Sequence, residues 1–375
     1  MKKIMGYFRS RPINILMAMI PLALAAYFLK WGDIWVFIFA ALSIVPLAGY
    51  IGEATEALTA FTGPRIGGLL NATLGNAAEL IITIVAIREG LLELVKASIT
   101  GSILGNILLV MGMSFLLGGL RHGVQRFDPR HAGRNAILLM LAVIALLIPS
   151  VLSASIGDSS SVRVEVFSLG VAATMIVLYG AALIYGLKAM ESPLTAAVGS
   201  NVESVRLAKK AEKPDHKEVH PAWSLRTTLV ILAASTTGVV VISELLVSAV
   251  EPVVASLGIS EFFVGVILIP IIGNVAEHLV AVKVAMENQM DLSVEIAIAS
   301  SLQIALFVAP LLVFVSLLIG NPLQLIFNQF ELLALIAGVL IAALVSQDGE
   351  SNWLEGAELL AVYLILALAF FLLPV

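Results

Sequence analysis

Runs of about 20 apolar residues recur along almost the whole of this chain, and they limit its fold more than any other feature. Lipid offers the backbone no hydrogen-bond partners, so a spanning segment must satisfy its own N–H and C=O groups. Only helices and closed barrels do that. Barrel strands would read as segments of about ten residues with alternating polarity, whereas these runs are longer and apolar throughout. The fold class is therefore an all-α integral membrane protein. A composition 60% hydrophobic and only 13% charged excludes an ordinary soluble domain, and nothing in it calls for a nucleic-acid partner. There is no cysteine, which removes disulfides and thiolate metal sites from consideration.

Apolar spans fall at roughly 13–29, 34–62, 66–88, 94–119, 135–153, 164–188, 224–250, 260–287, 292–318, 326–346 and 353–374, about eleven helices. Punctuation between them comes from Gly63-Pro64, Gly118-Gly119, Asp128-Pro129, Gly320-Asn321-Pro322 and Asp348-Gly349. The first run follows Lys2, Lys3, Arg9 and Arg11 but ends without an A-x-A-like cleavage site, so it reads as a retained helix. With the N-terminus in the cytoplasm, the basic residues of loops such as Arg121 to Arg134 and Arg206 to Lys217 fall inside. Only Lys30, Arg88, Lys96 and Arg163 fall outside, a strong positive-inside bias. That orientation fits a multi-pass protein of the plasma membrane, and a homo-oligomer is compatible with the sequence.

An internal repeat organises the spans. Gly75-Asn76-Ala77-Ala78-Glu79 returns at an offset of 198 as Gly273-Asn274-Val275-Ala276-Glu277. The same offset pairs Glu53 with Glu251, Gly67 with Gly265, Glu89 with Glu287 and Ser102 with Ser300. The expected units are residues 1–33 (N-terminal segment and leading helix), 34–190 (first five-helix repeat), 191–222 (cytoplasmic linker loop) and 223–375 (second five-helix repeat). Five is odd, so the second unit enters from the opposite side and the repeat is inverted.

Each motif puts a carboxylate at membrane depth, where a charged group costs roughly 2.5–3.5 kcal/mol on insertion scales. Two such residues placed by a repeat point to a cation pathway between the halves. Asn76 and Glu79 share a helix face, as do Asn274 and Glu277. Gly75 and Gly273 weaken the helix by about 1 kcal/mol relative to alanine, and a kink there, with Pro270 as a further break, would free carbonyl oxygens. Carboxylate, amide and carbonyl oxygens are what Ca2+ takes, typically six to eight of them. The following helix of each half adds Ser102 and Asn106 in one, and Ser300, Ser301 and Gln303 in the other. These can be ligands or interhelical hydrogen-bond glue worth about 0.6 kcal/mol on average. Gln303 is only an approximate counterpart of Asn106, displaced by one residue.

A second acidic set is a candidate proton pathway or gate: Glu53 and Glu56 at i, i+3, Glu251 as the mate of Glu53, and Glu244 two helical turns before Glu251. His278, beside Glu277, joins it as a side chain that titrates near neutral pH when unperturbed. The alternative for Glu53 and Glu251 is a plain interfacial position at a helix end. An intramembrane metalloenzyme would need ligand spacing such as H-E-x-x-H, and Glu277-His278 stands alone, so no enzyme is expected.

The motif from Gly75 to Glu79, that from Gly273 to His278, and Ser300-Ser301-Leu302-Gln303-Ile304-Ala305-Leu306-Phe307 together resemble the CAX-type Ca2+/H+ antiporters of the calcium/cation exchanger superfamily. Gly52 to Glu56, Gly67 to Thr73 and Glu251-Pro252 look like the same family's flanking motifs. The resemblance implies one leading helix plus two inverted five-helix units. It also implies Glu79 and Glu277 as paired carboxylates holding Ca2+ or protons in turn, with no cofactor beyond the transported ions. Family members carry an acid-rich central segment, whereas Glu191 to Pro221 here mixes acids with Arg206, Lys209, Lys210, Lys213 and Lys217. The competing expectations are a Na+-coupled Ca2+ exchanger and an uncoupled cation channel.

Overall fold

The computed structural model describes residues 12–157, 161–189 and 223–373. The basic N-terminal residues Lys2 to Arg11 and the linker from Glu191 to Pro221 lie outside them. A 3-10 segment, Pro12–Ala18, leads into α1 (Met19–Phe28), followed by α2 (Asp33–Leu74), α3 (Ala77–Arg88) and α4 (Leu92–Leu104). A π-helical stretch, Gly105–Val110, joins α4 to α5 (Met111–His122), and α6 (Pro129–Ile156) and α7 (Val162–Ala189) complete the first half. The second half holds α8 (Leu225–Ser248), α9 (Val250–Leu257), α10 (Ile269–Met286), α11 (Met290–Gln303), α12 (Ala309–Ile319), α13 (Gln329–Val345) and α14 (Trp353–Phe371). Among the described residues, eight helices are long and apolar enough to cross a membrane, and Ile13–Phe28 and Gln329–Val345 are shorter apolar helices. The protein is thus an integral, multi-pass helical membrane protein.

The 42 residues of α2 are not one straight rod. A Cβ on Gly67 would sit 3.1 Å from the Cα of Thr59, whereas eight residues of straight helix span about 12 Å. The chain therefore turns back between them. Past that reversal the chain runs back to Leu74, and α3 starts after it.

The seventh span runs over Leu225–Leu257 with a single turn residue, Ala249, between α8 and α9. One expectation needs correcting. The motif glycines do not act alike. Gly75 and Asn76 form a turn that separates α2 from α3, but Gly273 and Asn274 lie inside an uninterrupted α10. The second half departs from regular winding earlier, in the π-helical stretch Val264–Leu268 just before Pro270. Pro270 has no N–H for the carbonyl of Val266 and presses its ring against it, so the backbone widens ahead of the proline. Ile304–Val308 ahead of Pro310 does the same.

Small residues let backbones meet at the centre, which is how helices associate where lipid removes the hydrophobic drive. α4 packs on the π-helical stretch before α10 so closely that a Cβ on Gly101 would lie 1.9 Å from the Val266 carbonyl oxygen. A Cβ on Gly265 would lie 2.5 Å from that of Ala97. α8 runs along α2, and α5 is held between α10 and α14. A two-residue antiparallel ladder, β1 (Gln125–Arg126) on β2 (Glu350–Ser351), ties the loop after α5 to the loop before α14.

Candidate cation site between the two motifs

The reversal within α2 and the turn at Gly75-Asn76 precede α3, which packs against α10 with the two motifs facing. Each glutamate then reaches the glycine of the opposite motif. The Cγ of Glu79 is 2.7 Å from where a Cβ on Gly273 would stand, and Glu277 Oε1 is 3.5 Å from the corresponding point on Gly75. The glycines make room for the opposing carboxylates, a role that chain-local reasoning about kinks could not find.

Hydrogen bonds cross the same seam. Ser102 Oγ and Asn274 Nδ2 both donate to Glu79 Oε1, and Asn274 Nδ2 also lies 3.3 Å from Ser102 Oγ. On the other side Ser300 Oγ donates to Glu277 Oε2 at 2.7 Å, and Asn106 Nδ2 donates to Ser300 Oγ at 3.0 Å. The symmetry is imperfect. Asn76 Nδ2 gives its proton to Gln303 Oε1 at 2.7 Å, not to Glu277 as its mate Asn274 does to Glu79. Glu79 is 3% exposed, and Asn76, Asn274, Ser102 and Asn106 are equally buried, whereas Glu277 and Gln303 are half-buried. Glu79 Oε2 is buried with no hydrogen-bond partner. A buried acceptor left unpaired is costly, more so when charged, and a proton or a cation on that oxygen relieves it.

Ten of the eleven residues expected at a cation site thus converge: Gly75, Asn76, Glu79, Ser102, Asn106, Gly273, Asn274, Glu277, Ser300 and Gln303. Ser301 stands apart, its hydroxyl turned to the backbone oxygens of Ala297 (3.0 Å) and Ile103 (3.4 Å), where it joins two helices. Thr83 likewise bonds the carbonyl of Glu79 at 2.8 Å and not its carboxylate. Among the described residues no group of three or more His, Cys, Asp or Glu is placed to hold a metal. Any cation here takes its remaining oxygens from the amides, hydroxyls and backbone.

A family model described as "Sodium/calcium exchanger protein" matches residues 32–188 and 227–372. The chain belongs to this family. It is 46% identical over 366 residues, 98% of each chain, to a protein of Synechocystis sp. named "Ca(2+)/H(+) antiporter". With "Ca(2+)/H(+) antiporter ChaA" of Bacillus subtilis it shares 43% identity, covering 94% of this chain and 97% of that one. Among solved structures it resembles native YfkE with a TM-score of 0.81 at 41% identity, covering 96% of this chain and all of that one.

In this exchanger-family protein Glu56, Glu244 and Glu251 of the second acidic set are exposed, away from the buried cluster. Glu244 pairs with Arg88 at 3.1 Å, and both side chains are about half exposed. Glu251 and Glu56 are exposed on α9 and α2, and Glu53 is half-buried on α2. His278 is inside, its Nε2 buried without a hydrogen-bond partner. The sequence also gives only part of the warning of the π-helical stretches. Pro270 and Pro310 mark two of them, but Gly105–Val110, which follows Ser102 and carries Asn106, has no proline after it. π-Bulges are frequent at functional sites. Here they lie at repeat-matched positions, 105–110 in one half and 304–308 in the other.

Proposed function

We propose that this protein exchanges Ca2+ for H+ across the membrane by alternating access, with Glu79 and Glu277 holding the cation or protons in turn. The crossed pair of carboxylates, one with an unpartnered buried oxygen, carries this reading. The names of the Synechocystis and Bacillus subtilis relatives support the choice of ions. An empty pair carries two negative charges and resists enclosure in a medium of low dielectric constant. One divalent cation or two protons neutralise it, so only the loaded forms pass through a closed intermediate and the two fluxes are coupled. Asn76, Asn274, Ser102, Asn106, Ser300 and Gln303 supply neutral oxygens, and Gly75 and Gly273 give clearance.

In this reading eleven segments cross the bilayer: the leading helix within 1–33, five from 34–190 and five inverted ones from 223–375, joined by the 191–222 linker. The N-terminus lies in the cytoplasm and the membrane is the cell's own. Packing of α2 on its repeat mate α8 supports the pseudo-symmetric arrangement. Glu53, Glu56, Glu244, Glu251 and His278 are proposed to line proton access without binding the cation.

The test is Ca2+ accumulation in proteoliposomes under an imposed pH gradient. Uphill uptake that collapses with a protonophore and is indifferent to replacing Na+ by choline is expected. Uptake that follows Na+, or flux that only runs downhill, overturns the proposal. The serines give a finer check. Ser300→Ala removes a hydrogen bond to a charged group, worth about 1.5–3 kcal/mol, so apparent Ca2+ affinity should fall about tenfold or more. Ser301→Ala should leave it within about twofold, because its hydroxyl serves backbone carbonyls.

A further inference from the structure

One face of α6 is an exposed apolar stripe with a basic end. Arg130, Arg134, Ile137, Leu141, Ile144 and Ile148 follow one another at spacings of three and four, so they form a single stripe along the helix. Every one of them is exposed, Ile137 by 64% and Leu141 by 48%. The opposite face packs inward through Ala132, Leu139, Val143 and Leu146, none more than 4% exposed. The stripe is therefore apolar for more than three turns and ends at two guanidinium groups one turn apart.

Like charges at i, i+4 repel. Among the described residues neither arginine has a side-chain ion pair with a carboxylate; Arg134 donates to His131 Nδ1 at 3.2 Å. Acids lie nearby without pairing to either guanidinium: Asp128 Oδ1 accepts from the Arg130 N–H, Asp291 Oδ1 accepts from the Asp128 N–H, and Glu295 Oε1 is 3.7 Å from His131 Nε2. Glu350 is paired with Arg126. A positive end on a lipid-facing apolar stripe is the complement of an acyl chain under a negatively charged headgroup.

We propose that α6 holds an anionic phospholipid of the leaflet on the arginine side, its phosphate between Arg130 and Arg134 and an acyl chain along Ile137, Leu141, Ile144 and Ile148. The bound lipid neutralises the repelling pair and fixes the N-terminal end of α6. That end packs against α11, the helix that carries Ser300 and Gln303. The partner is chosen by charge, so a zwitterionic lipid of the same chain length fits the stripe but not its end.

Native mass spectrometry of the delipidated full-length protein, titrated with equimolar phosphatidylglycerol and phosphatidylcholine, tests this without any ion flux. Retention of phosphatidylglycerol over phosphatidylcholine is expected. Arg130→Gln and Arg134→Gln should each weaken it about fivefold, as about 1 kcal/mol per basic residue near an anionic headgroup implies. Equal retention of both lipids, or unchanged retention in the double variant with an unaltered melting temperature, overturns the proposal. The chain has no cysteine, so Ile137→Cys reports on a second occupant. Efficient disulfide cross-linking between copies in a bilayer would show the stripe covered by protein, and that outcome also overturns it.

Discussion

Proteoliposomes bearing Glu79→Gln are expected to lose pH-driven Ca2+ uptake by about two to three orders of magnitude. Glutamine keeps the volume and can still accept from Asn274 through its carbonyl oxygen, so the fold should persist. What disappears is one of two buried charges whose desolvation only a cation or proton offsets. Removing one partner of a buried charged set costs about 3–5 kcal/mol, and each 1.4 kcal/mol is tenfold. The same substitution at Glu277 should abolish coupling too, though that side chain is half-buried and, among the described residues, accepts a side-chain hydrogen bond from Ser300. Glu79→Asp retains the charge but withdraws it by one methylene from Ser102 and Asn274, and an intermediate loss is expected. Initial rates across a range of Ca2+ concentrations separate weakened binding from lost turnover. Coupled uptake at the parental rate in Glu79→Gln would falsify the role given to the pair.

The second large effect is expected on stability. In Gly101→Ala the new methyl would stand 1.9 Å from the oxygen and 2.6 Å from the carbon of the Val266 carbonyl. Both atoms are backbone, so no rotamer change relieves the clash. α4 must then separate from the π-helical stretch before α10, which also draws Ser102 off Glu79. Overpacking usually costs about 1–3 kcal/mol and occasionally more, and a contact this short belongs at the upper end. Little folded protein, or a melting temperature far below the parent's in detergent, is the expected result. Gly105→Ala, four residues on, supplies the comparison: nothing lies within 4 Å of its Cβ position, and it should be at least as stable as the parent, by up to about 1 kcal/mol. Equal melting of the two variants would mean that α4 and Val266 do not meet as described.

Much of the site could be read from the chain because its signals are local. Glu79 and Glu277 stand out as carboxylates in apolar runs, and the shared Gly-Asn-x-Ala-Glu spacing ties them together. Ser102, Asn106, Ser300 and Gln303 are visible as polar residues one turn apart on otherwise apolar helices. Ser301 looks the same as Ser300 in sequence, and only the rotation of α11 about its axis separates a hydroxyl facing a carboxylate from one facing Ile103. The difference between Asn76, which turns to Gln303, and Asn274, which turns to Glu79, has the same origin. It depends on a one-residue displacement of Gln303 from the repeat register, whose consequence is set by packing across helices. Glu244 is legible as an acid in an apolar run, but its pairing with Arg88, 156 residues away, is set by packing across helices.

Sequence alone determined the class of fold and the two carboxylates set within its apolar runs. Hydropathy and an exact internal spacing are properties of neighbouring residues, and the bilayer permits few answers to them. Tertiary structure decided the crossing of each glutamate over the other motif's glycine, the π-helical stretches and the unpartnered Oε2 of Glu79. Those arise from backbones meeting at van der Waals distance across residues about 200 apart in the chain, where tenths of an ångström set the partner and no local pattern records the outcome.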